Sequence, residues 1–297
     1  RLGLTRQLRY SARSENSLDV TLSLNGIPFA TLELKNPLTG QTVENARAQY
    51  KNDRDAHEPI FEFKRRTLVH FAVDTESVLL TTRLGGPATH FLPFNRGCDG
   101  GAGNPTDPSG RTYRTAYLWG EILERHSVLD LLARFIHLQV DERRDDQGRK
   151  VRTESMIFPR YHQLEAVRKL TAAARNEGPG HNYLVEHSAG SGKSNTIGWL
   201  AHRLASLHDA SNRRVFHSVV VVTDRVVLDQ QLQDTIYQFE HKRGVVEKID
   251  EHSKQLAAAL DSGVPIIITT LQKFPFVSDH LFEMAQQRGG EGAPDLP

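Results

Sequence analysis

The stretch that most restricts the fold is residues 182–205. A short apolar run, NYLVE (182–186), leads into HSAGSGKS (187–194) and then into NTIGWLAHRLASL, whose apolar residues recur at helical spacing. Gly190 and Gly192 let the backbone curl so that successive N–H groups, Ser191 included, face inward. Inward amides at a helix N-terminus form a cradle for phosphate oxygens. Lys193 is then placed to reach the outer phosphates of ATP, and Ser194 to hold Mg²⁺. The strict pattern opens with Gly where this chain has His187, so the strand–loop–helix context carries the reading. Two more apolar runs, HSVVVVTD (217–224) and VPIIITT (264–270), follow. They alternate with the helical patterns RYHQLEAVRKLTAAAR and RVVLDQQLQDTIYQF. Near-continuous Val/Ile runs separated by helices predict a parallel sheet covered on both faces.

The first part of the chain has a different texture. In LDVTLSLNGIPFATLELKN (18–36), Val20, Leu22 and Leu24 alternate with Asp19, Thr21 and Ser23; beyond Asn25-Gly26, Ala30, Leu32 and Leu34 alternate with Thr31, Glu33 and Lys35. This predicts a β-hairpin with one apolar and one polar face. A plain two-residue turn would set Asp19 against Leu32 and mix the faces. Keeping the faces apart sets Asp19 against Glu33, which requires a three-residue loop or a bulge at Asn25-Gly26-Ile27. Opposed side chains have β-carbons about 5 Å apart. Two carboxylates that close repel unless a cation sits between them. Asp19 and Glu33 form an all-oxygen pair suited to Mg²⁺. Lys35 could stabilise charge on a phosphate under attack or help activate water. The next segment offers Thr42 as the cap of a helix bearing Gln49 and Tyr50; Gln49 is the site candidate, and Tyr50 could as easily be core.

Composition narrows the classes. Charged residues at 25% and hydrophobics at 38% describe a globular chain. Lys+Arg 37 against Asp+Glu 36 excludes a polybasic coat, though not local basic surfaces. Cys98 is the single cysteine, so no intramolecular disulfide exists and a reducing, cytosolic setting is expected. No apolar run approaches the roughly 20 residues of a membrane helix, and no signal peptide is visible. The start at Arg1 without Met and the ending EGAPDLP are expected of a piece of something longer. Residues 83–111 are rich in turn formers. A helix is expected from Ser127 through VLDLLARFIHL. The charged run DERRDDQGRK (141–150) reads as a solvated boundary. These features divide the chain into a domain over 1–140, a linker over 141–155 and a second domain over 156–297. The histidines show no metal-ligand spacing, and Trp119 and Trp199 read as core.

Several of these motifs resemble known families. D-x13-E-x-K, from Asp19 through Glu33 to Lys35, resembles the PD-(D/E)xK nuclease core, with LD in place of PD. Gln49 resembles the glutamine that nucleases of that superfamily carry on the helix after this hairpin; here Tyr50 adjoins it instead of following at a spacing of four. FPRYHQLEAVRKL resembles the adenine-reading Q motif of superfamily 2 helicases, with Gln163 and an accompanying Arg160. In VVVVTDRVVLDQQL, Asp224 could be the acid of a Walker B strand. The Arg225 that follows it makes the stretch more similar to motif Ia, a DNA-backbone contact. PIIITTLQKF resembles motif Ib, with Thr270, Gln272 and Lys273 near the strand's carboxyl end.

Taken together, the order resembles the restriction (R, or motor) subunit of a type I restriction–modification enzyme, from about Ser17 to Phe274. The resemblance implies an α/β chain: a PD-(D/E)xK endonuclease-like domain followed by an incomplete RecA-like lobe of superfamily 2. It implies ATP and Mg²⁺ as cofactors. It also implies double-stranded DNA as substrate, methylation (M) and specificity (S) subunits as partners, and a bacterial or archaeal cytoplasm. ATP-driven translocation would be coupled to cleavage far from the recognition site, and this chain's DNA contacts would be mainly to backbone. The acidic-box strand and second motor lobe would follow Pro297. The alternative is a superfamily 2 translocase whose first domain is a non-catalytic DNA-binding module, with the Asp19/Glu33/Lys35 face merely solvated.

Overall fold

The computed structural model describes residues 1–297 except 146, 224–231, 234, 240–243, 250–252, 275 and 288–297. The chain divides into two compact units, Arg1–His162 and Gln163–Pro297.

The first unit is built on a six-stranded sheet in sequence order: β1 (Leu2–Arg9), β2 (Ser17–Leu24), β3 (Ile27–Leu34), β4 (Val69–Val73), β5 (Val78–Thr81) and β6 (Leu92–Pro93). Neighbours are antiparallel except β3 and β4, which run parallel. Asn25 (φ 51°) and Gly26 (φ 81°) make a two-residue turn, both in the left-handed region that such hairpins need. The extra residue therefore lies inside the ladder and not at the turn. Ser23 opposes Pro28 while Leu22 opposes Ala30, so Phe29 is the inserted residue. Beyond it Val20 faces Leu32, and the same register sets Asp19 level with Glu33.

A parallel neighbour needs a crossover, supplied here by α1 (Val43–Asn52) between β3 and β4. Thr42 is its N-cap residue, and the Thr42 N–H donates to Asn45 Oδ1 at 2.9 Å. The Val43 N–H donates to Asp74 Oδ2 at 2.7 Å, placing a carboxylate at the helix's positive end. Ala46 and Tyr50 of α1 are buried, and the polar residues Thr21, Thr31 and Glu33 are buried with them. The polar face of the hairpin is thus covered, not bathed in water. Phe71, Phe94 and Phe158 stack edge to face elsewhere in this unit.

Helix α2 is Arg125–Arg134. Its cap is Glu124 and not Ser127: the Glu124 carboxylate accepts the N–H groups of His126 (2.8 Å) and Ser127 (3.2 Å). Trp119, expected in the core, is 40% exposed. The stretch expected as a linker is an antiparallel ribbon, β7 (His137–Arg144) with β8 (Lys150–Ile157). Charge hid it, because a ribbon exposed at its tip needs no apolar residues. Opposite charges face each other at Glu142 and Arg152. A Lys64–Glu154 ion pair and a Thr82 Oγ1 bond to Met156 O at 2.7 Å tie its base to the unit.

The second unit contains α3, which opens at the unit boundary (Tyr161–Glu177), α4 (Lys193–Ala205), α5 (Ser253–Asp261) and α6 (Val277–Gln287). A parallel sheet of order β10-β11-β9 joins β9 (Val219–Thr223), β10 (Val246–Lys248) and β11 (Ile266–Thr270). Alternate residues of β11 enter opposite cores: Ile266 and Ile268 pack with Ala201, Ala205 and Val221, and Ile267 packs with Leu256, Ala257 and Val277. The sheet is covered on both faces, as its Val/Ile runs predict. NYLVE (182–186) departs from expectation. It pairs with no strand among the described residues, and Leu184 is 94% exposed. An apolar run becomes a strand only where a neighbour takes its N–H and C=O groups. Trp199 is buried, as expected. Among the described residues no helix is long and apolar enough to cross a membrane.

Candidate functional site

Asp19, Glu33, Lys35 and Gln49 come together where β2, β3 and α1 meet. Lys35 follows directly on β3, and its Nζ donates to Gln49 Oε1 at 2.6 Å. Asp19 is half-buried and fixed at both oxygens: Oδ2 accepts the Leu34 N–H (2.8 Å) and Oδ1 accepts Gln7 Nε2 (3.1 Å). Gln7 has φ 50°, a conformation that non-glycine residues seldom adopt. The sequence reading did not single it out.

Glu33 is fully buried. Its Oε1 accepts two bonds from Arg54, Nε at 2.8 Å and Nη2 at 2.6 Å. Arg54 is thus a cation held against Glu33, another residue sequence reasoning missed. Arg54 Nη2 also donates to Ser17 O at 2.9 Å, and the guanidinium lies 5.6 Å from the Tyr10 ring centre. Burial pushes the Glu33 carboxyl above the usual carboxylate range, while the Arg54 charge and its hydrogen bonds pull it back. Glu33 Oε2 is buried with no hydrogen-bond partner among the described residues. That oxygen and Asp19 across the ladder make an all-oxygen donor set that fits a hard divalent cation. Among the described residues no group of three or more His, Cys, Asp or Glu that could hold a metal ion gathers.

Tyr50 is fully buried, and its hydroxyl lies 2.9 Å from Thr31 Oγ1, which in turn lies 2.7 Å from His70 Nδ1. Tyr50 is thus core, and the half-buried Gln49 is the residue of α1 that reaches the site. Burial raises the Tyr50 phenol well above its ordinary value and lowers the His70 imidazole to about 3. Beside the carboxyl end of α1 opens a cleft of about 710 Å³ lined by Lys51, Arg54, His57, Arg83 and the Gly85-Gly86 backbone.

In the second unit Gly190 (φ 73°) and Gly192 (φ 81°) curl the loop as their residue type allows, and α4 begins at Lys193. Lys193 Nζ donates to His187 O (2.6 Å) and Ser188 O (2.9 Å), so the ammonium folds over its own loop. Gln163 Nε2 donates to Ser191 O (3.2 Å) and Gly192 O (2.8 Å), so the side chain expected to read adenine buttresses the loop backbone. Ser191 is buried and Ser194 half-buried. A groove of about 580 Å³ runs from Lys193 and Ser194 between α4 and β9, lined by Ile197, Leu200 and Val219. Arg160 is half-buried and belongs to the first unit. Thr270 is buried at the end of β11, and Gln272 and Lys273 form the turn after it. Asp224 and Arg225 lie outside the described residues.

Residues 1–88 match the family described as the type I restriction enzyme R protein N terminus, and residues 162–289 match the SWI2/SNF2 ATPase family. Together with the curated relatives, these matches support a fragment of a type I restriction R subunit. The chain is 24% identical over 269 residues to the type I restriction enzyme HindI endonuclease subunit of Haemophilus influenzae, covering 86% of this chain and 23% of that protein. It is 24% identical over 278 residues to the SauCOLORF180P endonuclease subunit of Staphylococcus aureus, covering 91% of this chain and 26% of that one. The chain spans about a quarter of the length of these curated relatives. No solved structure matches it.

Proposed function

We propose that the chain carries the DNA-cleaving site and the ATP-binding loop of a type I restriction R subunit. In this reading the first unit is a PD-(D/E)xK nuclease domain and the second is part of a RecA-like motor lobe. The observation that carries it is Asp19 level with Glu33 across β2 and β3, with Lys35 beside them and held by Gln49. Asp19 and the free Oε2 of Glu33 would hold Mg²⁺, which supplies an activated water and neutralises charge on a phosphodiester. Gln49 holds the Lys35 ammonium where negative charge on the attacked phosphate would build. Lys51 and Arg83 line the neighbouring cleft and suit the DNA backbone, so binding there should weaken with salt.

In the second unit Lys193 releases the carbonyls of His187 and Ser188 to take the outer phosphates of ATP, and the loop N–H groups take their oxygens. Ser194 would hold Mg²⁺, Gln163 would brace the nucleotide loop, and Arg225, Thr270, Gln272 and Lys273 would contact the DNA backbone. ATP turnover drives translocation of double-stranded DNA, and methylation and specificity subunits supply sequence recognition. The test uses the full-length subunit assembled with those partners on cognate DNA. Asp19→Ala or Lys35→Ala should abolish cleavage and spare ATPase, and Lys193→Ala should abolish ATP turnover and translocation. Cleavage unchanged in the first two variants would sink the nuclease assignment.

A further inference from the structure

Arg54 carries more information than a buried ion pair requires. A guanidinium fork fits a carboxylate best with one N–H on each oxygen. Here Nε and Nη2 both converge on Glu33 Oε1, and Nη2 is shared with Ser17 O. Tyr10 supplies a third anchor, with its hydroxyl 3.4 Å from Nη1 and its ring beneath the guanidinium. The Arg54 side chain is only 3% exposed, so these anchors leave it little freedom. Glu33 Oε2 is left buried and unpartnered among the described residues, level with Asp19. An orphaned carboxylate oxygen costs stability, which a purely structural pair would avoid by using both oxygens. We propose that Arg54 is a positioning residue: by gripping Glu33 through Oε1 alone, it presents Oε2, together with Asp19, to a divalent cation. The proposal rests on the nuclease reading above.

The test uses the full-length R subunit with its partner subunits and two readouts. One is Mn²⁺ binding without nucleotide, followed by electron paramagnetic resonance. The other is the Mg²⁺ concentration giving half-maximal cleavage. Loss of an orienting partner costs about 10- to 100-fold in metal affinity. Arg54→Met should weaken Mn²⁺ binding and raise the Mg²⁺ half-point by a factor in that range. Arg54→Lys keeps the charge beside Glu33 but cannot place two N–H groups on one oxygen; it should show a smaller shift of the same sign. Adding Arg54→Met to Glu33→Gln should weaken Mn²⁺ binding no further than Glu33→Gln alone. If Arg54→Met does not fold, Arg54→Lys decides. Wild-type Mn²⁺ affinity in the Arg54 variants that fold overturns the proposal, as does full additivity with Glu33→Gln. If Asp19→Ala and Glu33→Gln leave cleavage and Mn²⁺ binding intact, the nuclease reading itself fails. If they weaken both while the Arg54 variants do not, that reading stands and only the role of Arg54 falls.

Discussion

His70 makes the first unit sensitive to acid by a calculable amount. The ring is 1% exposed on β4, bonded to Thr31 Oγ1 and packed by the Tyr50 and Phe61 rings. Burial lowers its pKa to about 3, against an ordinary histidine value near 6.5. The unfolded chain therefore takes up this proton first, and the folded unit loses stability as pH falls from about 6.5 toward 3. Linkage between those values gives a loss of about 2 kcal/mol from pH 7 to pH 5, reaching roughly 4 kcal/mol at pH 3. Against a domain stability of roughly 5–15 kcal/mol that is a large share. His70→Gln keeps an acceptor for Thr31 and removes the titration. The measurement is urea unfolding at pH 7 and pH 5, followed by Trp119 fluorescence in a Trp199→Phe background so that only the first unit reports. The pH-dependent loss should be about 2 kcal/mol smaller in His70→Gln. Glu33, raised by burial, contributes the opposite slope, with stability lost as pH rises, but it does so in both chains and cancels. An equal pH dependence with and without His70 would refute the argument, because the folded histidine would then titrate as an exposed one does.

Gly192→Ala should weaken nucleotide binding. Its φ of 81° is costly for alanine, and the new Cβ would lie 2.6 Å from Gln163 Nε2. The strain alone is worth about 1–2 kcal/mol, measurable with a fluorescent ATP analogue. Tyr50→Phe deletes the partner that Thr31 meets at 2.9 Å and should cost about 1 kcal/mol in unfolding experiments. Because the hydroxyl is core, cleavage should be unchanged; a large loss of cleavage in that variant would return Tyr50 to the site.

The hairpin was legible because alternation is a local signal and one register alone keeps its faces apart. Where the bulge sits was not, since an inserted residue at Ile27 or at Phe29 puts Asp19 level with Glu33 equally well. The glycines of the phosphate loop were legible for the same local reason, and the left-handed angles at Gly190 and Gly192 are what their positions imply. The strand leading into that loop was not. NYLVE has the composition of a strand, but pairing is a property of two segments, and no described strand meets it. The β7–β8 ribbon failed in the opposite direction, its pairing carried by residues that read as solvated charge. Arg54 lies between these cases. The carboxylate pair announces in sequence that a cation is required, and Lys35, Arg47, Lys51 and Arg54 are all near enough along the chain to supply it. Lys35 turns to Gln49 and Arg47 pairs with Glu44. Arg54 reaches Glu33 across 21 residues because the chain turns back after α1. That choice decides which oxygen of Glu33 stays free, and so what the site can hold.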